Sequence, residues 1–283
     1  MQDIDGPRPA ALCVLASGSS GNCSALRCPD GGVVLIDAGL SPRRTARALA
    51  RVGHGLADVR AIVLTHLDHD HFYPAWTRAL TDRLGGSVQL WVHARHAGWD
   101  GLEAVRQAGV LRTFEDAFQP GPTVAFACRL AEHDEHGVAT FRVRTPQGEL
   151  GYLTDLGRVT EALVDFHAGV DVLAIESNYC PRLQARSSRP AFLKRRIMGG
   201  AGHLSNPQCL EATEAIGPSL HAVFLHLSRE CNSPEIVSRM HEGADYARTI
   251  ARPDEPTRWV WVGGGVRPAS ASPRCDTLFG SHP

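Results

Sequence analysis

The sequence predicts an α/β fold on three observations. Strand-length apolar runs alternate with segments of helical spacing, the alternation passes through the chain twice, and the apolar runs repeatedly end in His or Asp. With 283 residues the chain is long enough to bury a large core. We read one domain over residues 1–267, followed by a polar, Pro/Ser-rich and loosely ordered tail over 268–283.

Taken in order, "AALCVLAS" and "GGVVLIDAG" read as strands flanking the Gly/Ser turn "SGSSGN". The segment "SPRRTARALARVG" follows as a helix with Ser41 as N-cap and Gly53 as its stop. "DVRAIVLTH" is a buried strand, "PAWTRALTDRLGG" a helix, "SVQLWVHA" a strand and "HAGWDGLEAVRQAG" a second helix. The middle is strand-rich, with "TVAFACRL", "ATFRVRTPQGELGYLTDLG" and "VDVLAIESN", and it holds a turn at "PQGE". "NPQCLEATEAIG" is a helix, "LHAVFLHLS" a strand, "SPEIVSRMHEGADYARTIA" a helix and "RWVWVGGG" a last strand.

Charge and composition exclude several function classes. Lys+Arg 29 against Asp+Glu 30 leaves a net charge of −1, so no global basic field draws the chain onto nucleic acid or a membrane, and any polyanion site must be local. No apolar stretch approaches the ~18 residues of a membrane span, and the start "MQDIDGPRPAALCVLASG" lacks the pattern of a secretion signal. The expectation is a cytoplasmic protein with no membrane partner. The 8 cysteines are scattered without a C-x-x-C pair, which predicts reduced, mostly buried thiols that are not metal ligands.

The chemistry is concentrated in "LTHLDHDHF", residues 64–72, where His66, Asp68, His69, Asp70 and His71 follow the run "AIVLT". A turn leaving a buried strand can aim neighbouring side chains into one pocket, which a periodic helix or strand cannot do at this density. His66, Asp68, Asp70 and His71 therefore form a half-shell for two adjacent cations. Further polar residues close the later runs "RLAEHDEHG", "GYLTDLG", "GGAGHLSN" and "VFLHLSRECN". Singly each is an ordinary surface or capping residue; together they are what a binuclear site built from strand-end loops needs.

These motifs carry a family resemblance. "THLDHDH" resembles the H-x-H-x-D-H signature of the metallo-β-lactamase fold superfamily. "LASGSSGN", "VLIDAGLS", "EHD", "GYLTDLG", "IESN", "GHLSN" and "HLSRECNSPE" occur with it, in order over nearly the whole chain, and resemble the YycJ/WalJ-like branch, related to RNase Z and PhnP phosphodiesterases. The resemblance implies a four-layer αββα sandwich. It also implies two divalent metal ions, held by His66, Asp68 and His133 on one side and Asp70, His71 and His226 on the other, with Asp155 bridging them. His203 would be the catalytic acid or a phosphate contact, with Glu176 orienting it. An exchange of His203 and His226 leaves the sequence equally satisfied.

The chain departs from the signature at Asp68, where the family has His. Either Asp68 coordinates through oxygen, the reading we prefer because a slip would disturb Asp70 and His71, or His69 swings in. A carboxylate there hardens the site, so zinc is the default ion and manganese or iron are favoured alternatives. "ESNY" also stands where the family has "ESNH", with Tyr179 in place of His.

The expected reaction is phosphodiester hydrolysis, with a metal-bridging hydroxide as nucleophile, Asp70 orienting it or taking its proton, and His203 protonating the leaving oxygen. From Ser177 to Leu210 there is no Asp or Glu, while Arg182, Arg186, Arg189, Lys194, Arg195 and Arg196 lie between the motifs that hold Asn178 and Ser205. That segment is read as a grip on backbone phosphates, and otherwise as an ordinary solvated basic helix. The resemblance implies a 5′-3′ DNA exonuclease with DNA as partner, and a homodimer is open. The alternatives are a small cyclic phosphodiesterase or thioester hydrolase of the same fold, or a non-catalytic metal-binding regulatory protein.

Overall fold

The computed structural model describes residues 9–263 except 85, 134 and 201; the expected tail lies outside them. The first half of the chain runs through β1 (Ala11–Ala16), β2 (Cys23–Arg27), β3 (Val33–Ile36), α1 (Pro42–Arg51), β4 (Val59–Val63), α2 (Ala75–Arg78), β5 (Gln89–His93), α3 (Glu103–Gln107) and β6 (Leu111–Phe114). The strands β1, β2 and β3 form an antiparallel meander, and β3 through β6 pair in parallel with helical crossovers. Parallel strands need such crossovers, and their burial on both faces is why they read as nearly unbroken apolar runs.

The second half repeats the plan. It comprises β7 (Ala117–Gly121), β8 (Val124–Ala131), β9 (Val138–Arg144), β10 (Glu149–Leu153), α4 (Glu161–His167), β11 (Val172–Glu176), α5 (Pro181–Arg186), α6 (Ala191–Met198), α7 (Asn206–Ile216), β12 (His221–Leu225), α8 (Pro234–Met240) and β13 (Ala247–Ile250). Here β7 to β10 are antiparallel and β10 to β13 parallel. The short β14 (Val260–Trp261) returns to the edge of the first sheet beside β1. Each sheet has seven strands, in the orders β14-β1-β2-β3-β4-β5-β6 and β13-β12-β11-β10-β9-β8-β7.

Side-chain parity fixes the layers, because successive residues of a strand face opposite sides. Leu12, Val14, Val34 and Ile36 meet Val172, Ala174, Val223 and Leu225 between the sheets. Cys13, Leu15, Val33 and Leu35 face outward, onto Leu49 of α1, Trp76 of α2 and Val105 of α3. On the far side Leu173, Ile175 and Phe224 pack with Leu163, Ala212 and Val237 from α4, α7 and α8. The result is the αββα sandwich that the resemblance implied. Among the described residues no helix is long and apolar enough to cross a membrane.

Several elements differ from the expectation. The Gly/Ser turn joins β1 to β2, and the five-residue β2 stands between the two expected strands. The helix expected over 96–109 is reduced to a 3-10 turn and the five residues of α3. The helix expected over 233–251 stops at Met240, and Gly243 at φ 83° turns the chain so that Ala247–Ile250 pairs in parallel with β12. Ser41 caps α1 by accepting from the Arg44 backbone N–H. The seven described cysteines are free and six are buried. Burial pushes the Cys13 thiol up to about 11 and those of Cys28, Cys128 and Cys209 up to about 12, which keeps them out of thiolate chemistry.

Candidate metal centre

Crossovers bring the C-terminal ends of β3, β4, β10, β11 and β12 to one edge of the sandwich. Asp37 follows β3, His66 follows β4, Asp155 follows β10, Glu176 ends β11 and His226 follows β12. Among the described non-glycine residues, positive φ occurs at three positions: Asp37 at 63°, Asp155 at 53° and His226 at 54°. All three are at these strand ends. Such backbone costs about 1–3 kcal/mol each and persists where the surroundings impose it. Here it turns a side chain out of the strand direction and into the cleft between the sheets.

The imidazoles are held by their Nδ1 atoms. His71 Nδ1 donates to Asp37 Oδ2 at 2.8 Å, and His133 Nδ1 donates to the Gly202 carbonyl at 3.1 Å. His66 Nδ1 lies 3.0 Å from the Thr65 hydroxyl, which donates to Asp37 Oδ1 at 2.9 Å. His226 Nδ1 lies 2.8 Å from Asp155 Oδ1 and 3.0 Å from Glu176 Oε1. The Nε2 atoms are thereby left for the cleft. His71 Nε2 is 3.1 Å from Asp155 Oδ2 and 3.9 Å from Asp70 Oδ2; His226 Nε2 is 3.6 Å from Asp70 Oδ2. His66 Nε2 is 3.7 Å from Asp155 Oδ2 and 3.9 Å from Asp68 Oδ2, and it is buried with no hydrogen-bond partner.

Beside a third group formed by Asp155, Glu176, His203 and His226, two sets of donors have ligand atoms mutually within 4.8 Å: Asp70, His71, Asp155 and His226 in one, His66, Asp68 and His133 in the other. Asp155 links them, since one of its oxygens faces both His66 and His71. Imidazole nitrogens oriented by outer hydrogen bonds, mixed with carboxylates, are the donor set of a divalent transition-metal site. The orphaned, buried Nε2 of His66 is a donor atom waiting for such a partner. These residues therefore fit divalent cations.

Electrostatics agree with the geometry. Burial disfavours charge on His71 and His226, yet Asp155, joined by Asp37 at His71, holds both well above the ordinary histidine value. Burial would raise Asp155, but His226 and His71 keep it well below the usual carboxylate range. His66 is pushed well below its ordinary value by burial and by His71. The cleft thus demands positive charge, which protons on imidazole or bound cations can supply.

The remaining expected residues fall in three places. Asp68, Asp70, His133, Asp155, His203 and His226 line a cleft of about 300 Å³ together with Asn178, Arg189 and Arg196. His203 Nδ1 donates to Glu176 Oε1 at 2.7 Å, while Glu176 Oε2 accepts from the Leu156 and Leu204 N–H groups. Burial opposes charge on His203, and Glu176 outweighs it, raising the imidazole above its usual value. His69 is exposed and its ring sits 5.6 Å from that of Tyr73, away from the donors.

The basic segment is divided. Arg189 is braced by Glu230 at 3.0 Å and Ser228 at 3.2 Å, and Lys194 Nζ donates to the Ala185 carbonyl at 2.9 Å. Arg182, Arg186 and Arg195 are exposed on α5 and α6 outside the cleft lining. Ser205 is the N-cap of α7, its hydroxyl engaged with Gln208, and it does not line the cleft. Sequence reasoning assigned no role to Asp37, Thr65 or Asn22. Asn22 Nδ2 lies 2.9 Å from His71 Nε2, and its Oδ1 accepts from Gly18 N–H at 2.8 Å. Asp37 ends an apolar run as His66 and Asp155 do, a pattern it shares with ordinary caps and turns.

Comparison with known proteins bears on the same residues. A family model for the beta-lactamase superfamily domain matches residues 33–227, which span the donors from Asp37 to His226. The chain is 29% identical over 231 residues to the exodeoxyribonuclease WalJ of Streptococcus pneumoniae serotype 2 (strain D39 / NCTC 7466), covering 79% of this chain and 83% of that one. It is 25% identical over 236 residues to the exodeoxyribonuclease YycJ of Bacillus anthracis, covering 79% and 84%. A crystal structure of a diphosphatase from the PhnP family superposes with a TM-score of 0.63 at 19% identity over 90% of this chain and 98% of that one, a likeness of fold.

Proposed function

The chain belongs to the beta-lactamase superfamily, in its metallo-β-lactamase fold, and from that premise we propose that it is a metal-dependent phosphodiester hydrolase acting on nucleic acid, with DNA as the first substrate class. The observation that carries the proposal is the shared carboxylate of Asp155 between two donor sets whose histidines are each anchored through Nδ1. His66, Asp68 and His133 would hold one divalent cation, Asp70, His71 and His226 the other, and Asp155 both. Such a pair supplies Lewis acidity toward a phosphate and lowers the pKa of water.

The protein's own groups do the rest. Asp70, at the cleft wall, takes the proton of the attacking water as the oxygen adds to phosphorus. His203, its Nδ1 held by Glu176, presents the other nitrogen to protonate the leaving oxygen as the phosphorus–oxygen bond breaks. Arg196 on the rim neutralises the phosphate. Asp68 contributes a hard oxygen where an imidazole would favour zinc, so manganese or iron are the ions we expect to support the highest activity. The exodeoxyribonuclease names of the two curated relatives support DNA and exonucleolytic action.

The test is cleavage of end-labelled single- and double-stranded DNA and RNA by the purified protein with Mn²⁺, Zn²⁺ or Fe²⁺. We expect metal-dependent shortening of DNA from the 5′ end, and Asp155→Ala to bring it to background. Absence of cleavage with every ion and polymer, alongside hydrolysis of a small cyclic phosphodiester, would reassign the site to small substrates.

A further inference from the structure

The exposed apolar surface is not scattered. Among the described residues, five large hydrophobics are exposed, and three of them, Leu183, Phe192 and Met198, lie on α5 and α6; Phe192, at 66%, is the most exposed of all. A lone exposed leucine means little, but an exposed phenylalanine on the helix that supplies Leu193, Arg196 and Ile197 to the cleft lining calls for a partner.

The local geometry says which way it faces. Leu193 and Ile197 seat α6 on Tyr179 and Cys231, and Lys194 ties it to the α5 carbonyl of Ala185. Positions three and four apart are neighbours on a helix surface, so Phe192 adjoins Arg195 and Arg196, and Arg196 stands between it and the cleft-lining Leu193. Arg196 belongs to the lining of the cleft, which places Phe192 one helical turn from that lining. A ring flanked by two guanidinium groups is the pairing that takes an unstacked base and its adjoining phosphates.

Resting on the nuclease reading above, we propose that α6 is a base-stacking platform: Phe192 stacks on a nucleobase next to the scissile phosphate, so the substrate is a single-stranded stretch or an unpaired terminus. Charge argues for this occupant over a second copy of the chain. With no Asp or Glu from Ser177 to Leu210, a twofold contact through this face would bring arginines against arginines.

The experiment uses the full chain as purified and measures anisotropy with two labelled, phosphorothioate-protected oligomers of equal length and charge, one of thymidine and one abasic. Wild type should bind the thymidine oligomer about tenfold tighter, Phe192→Ala should lose that preference, and Phe192→Trp should retain it with quenched tryptophan fluorescence. Unchanged circular dichroism confirms that Phe192→Ala is folded. Equal binding of both oligomers by wild type, or an undiminished preference in Phe192→Ala, overturns the stacking proposal and leaves the nuclease reading standing. Binding of neither oligomer overturns both. If Phe192→Ala instead abolishes self-association in gel filtration, or binding to phosphatidylglycerol vesicles, with the oligomer preference intact, the ring serves that contact and the proposal fails.

Discussion

At the scale of single residues, the most instructive side chain is Asp37, which no crowding in the sequence marks. It is fully buried, accepts from Thr65 N–H at 2.8 Å, and fixes His71 through Nδ1. By holding the His71 tautomer it leaves Nε2 as the donor, and its charge raises the basicity of that nitrogen. Replacement by Asn keeps the volume and tolerates the φ of 63°, so Asp37→Asn should fold. We expect it to weaken metal affinity by about 10–100-fold, read by competition with a chromophoric chelator. Unaltered affinity would mean that Asp37 only shapes the loop. The crowded loop from His66 to His71 was legible because no bland structure needs five ionisable groups in six positions. Asp37 was not, because one aspartate after an apolar run is equally a cap or a turn, and only the contact across 34 residues to His71 distinguishes it. The hydroxyl of Ser205, inside a family-like motif, caps a helix, a duty that the motif did not announce.

At the scale of elements, the site depends on how closely the loop after β3 approaches the loop after β4. Ala38 N–H donates to the His71 carbonyl at 2.7 Å, Asn22 N–H to the Asp70 carbonyl at 2.7 Å, and Gly39 N–H to the Asn22 carbonyl at 2.8 Å. A Cβ on Gly39 would lie 1.7 Å from the Asp70 carbonyl oxygen and 2.7 Å from Asn22 N, both backbone atoms that cannot swing aside. Gly39→Ala must therefore push the donor loop away from the sheet edge. The expected cost is about 3 kcal/mol or more, with loss of bound metal, read by thermal denaturation and metal analysis of the purified variant. A variant as stable as wild type would show that the loops are not locked together. Buried central strands such as β11 and β12 were legible because nearly every position on both faces is apolar. The edge strands β6 and β7 were not, since each has a single buried position and neither alternates cleanly. Helix α4 also escaped notice, although Thr160 caps it, because seven residues give too short a period to read.

At the scale of the whole molecule, the repetition of strands followed by interleaved helices in two halves was visible in the rhythm of the chain, and the antiparallel and parallel pairing within each half was not. The stacking of the two halves into four layers came only from the resemblance, because side-chain parity tells which face is apolar and not which sheet covers it. That stacking buries polar groups far from the catalytic edge, and these govern how the fold answers pH. His167 ends α4 fully buried, lies 3.2 Å from the Thr140 hydroxyl through Nε2, and has no hydrogen-bond partner at Nδ1. Burial, helped by the Arg142 charge, lowers it to about 3. In the unfolded chain it titrates at about 6.5. Between those values the unfolded state holds the extra proton, so stability is complete above about pH 6.5 and declines as pH falls toward 3. This one group should remove about 2 kcal/mol at pH 5 relative to neutral pH. Urea denaturation in the presence of a chelator, at steps from pH 7.5 to 5, measures the total slope, to which other buried groups add. His167→Gln cannot take up the proton, so its stability should fall less steeply than wild type by about 1.4 kcal/mol per pH unit below pH 6, whatever its stability at neutral pH. Parallel curves for the two proteins would show that His167 is already charged, or reaches water, in the folded state.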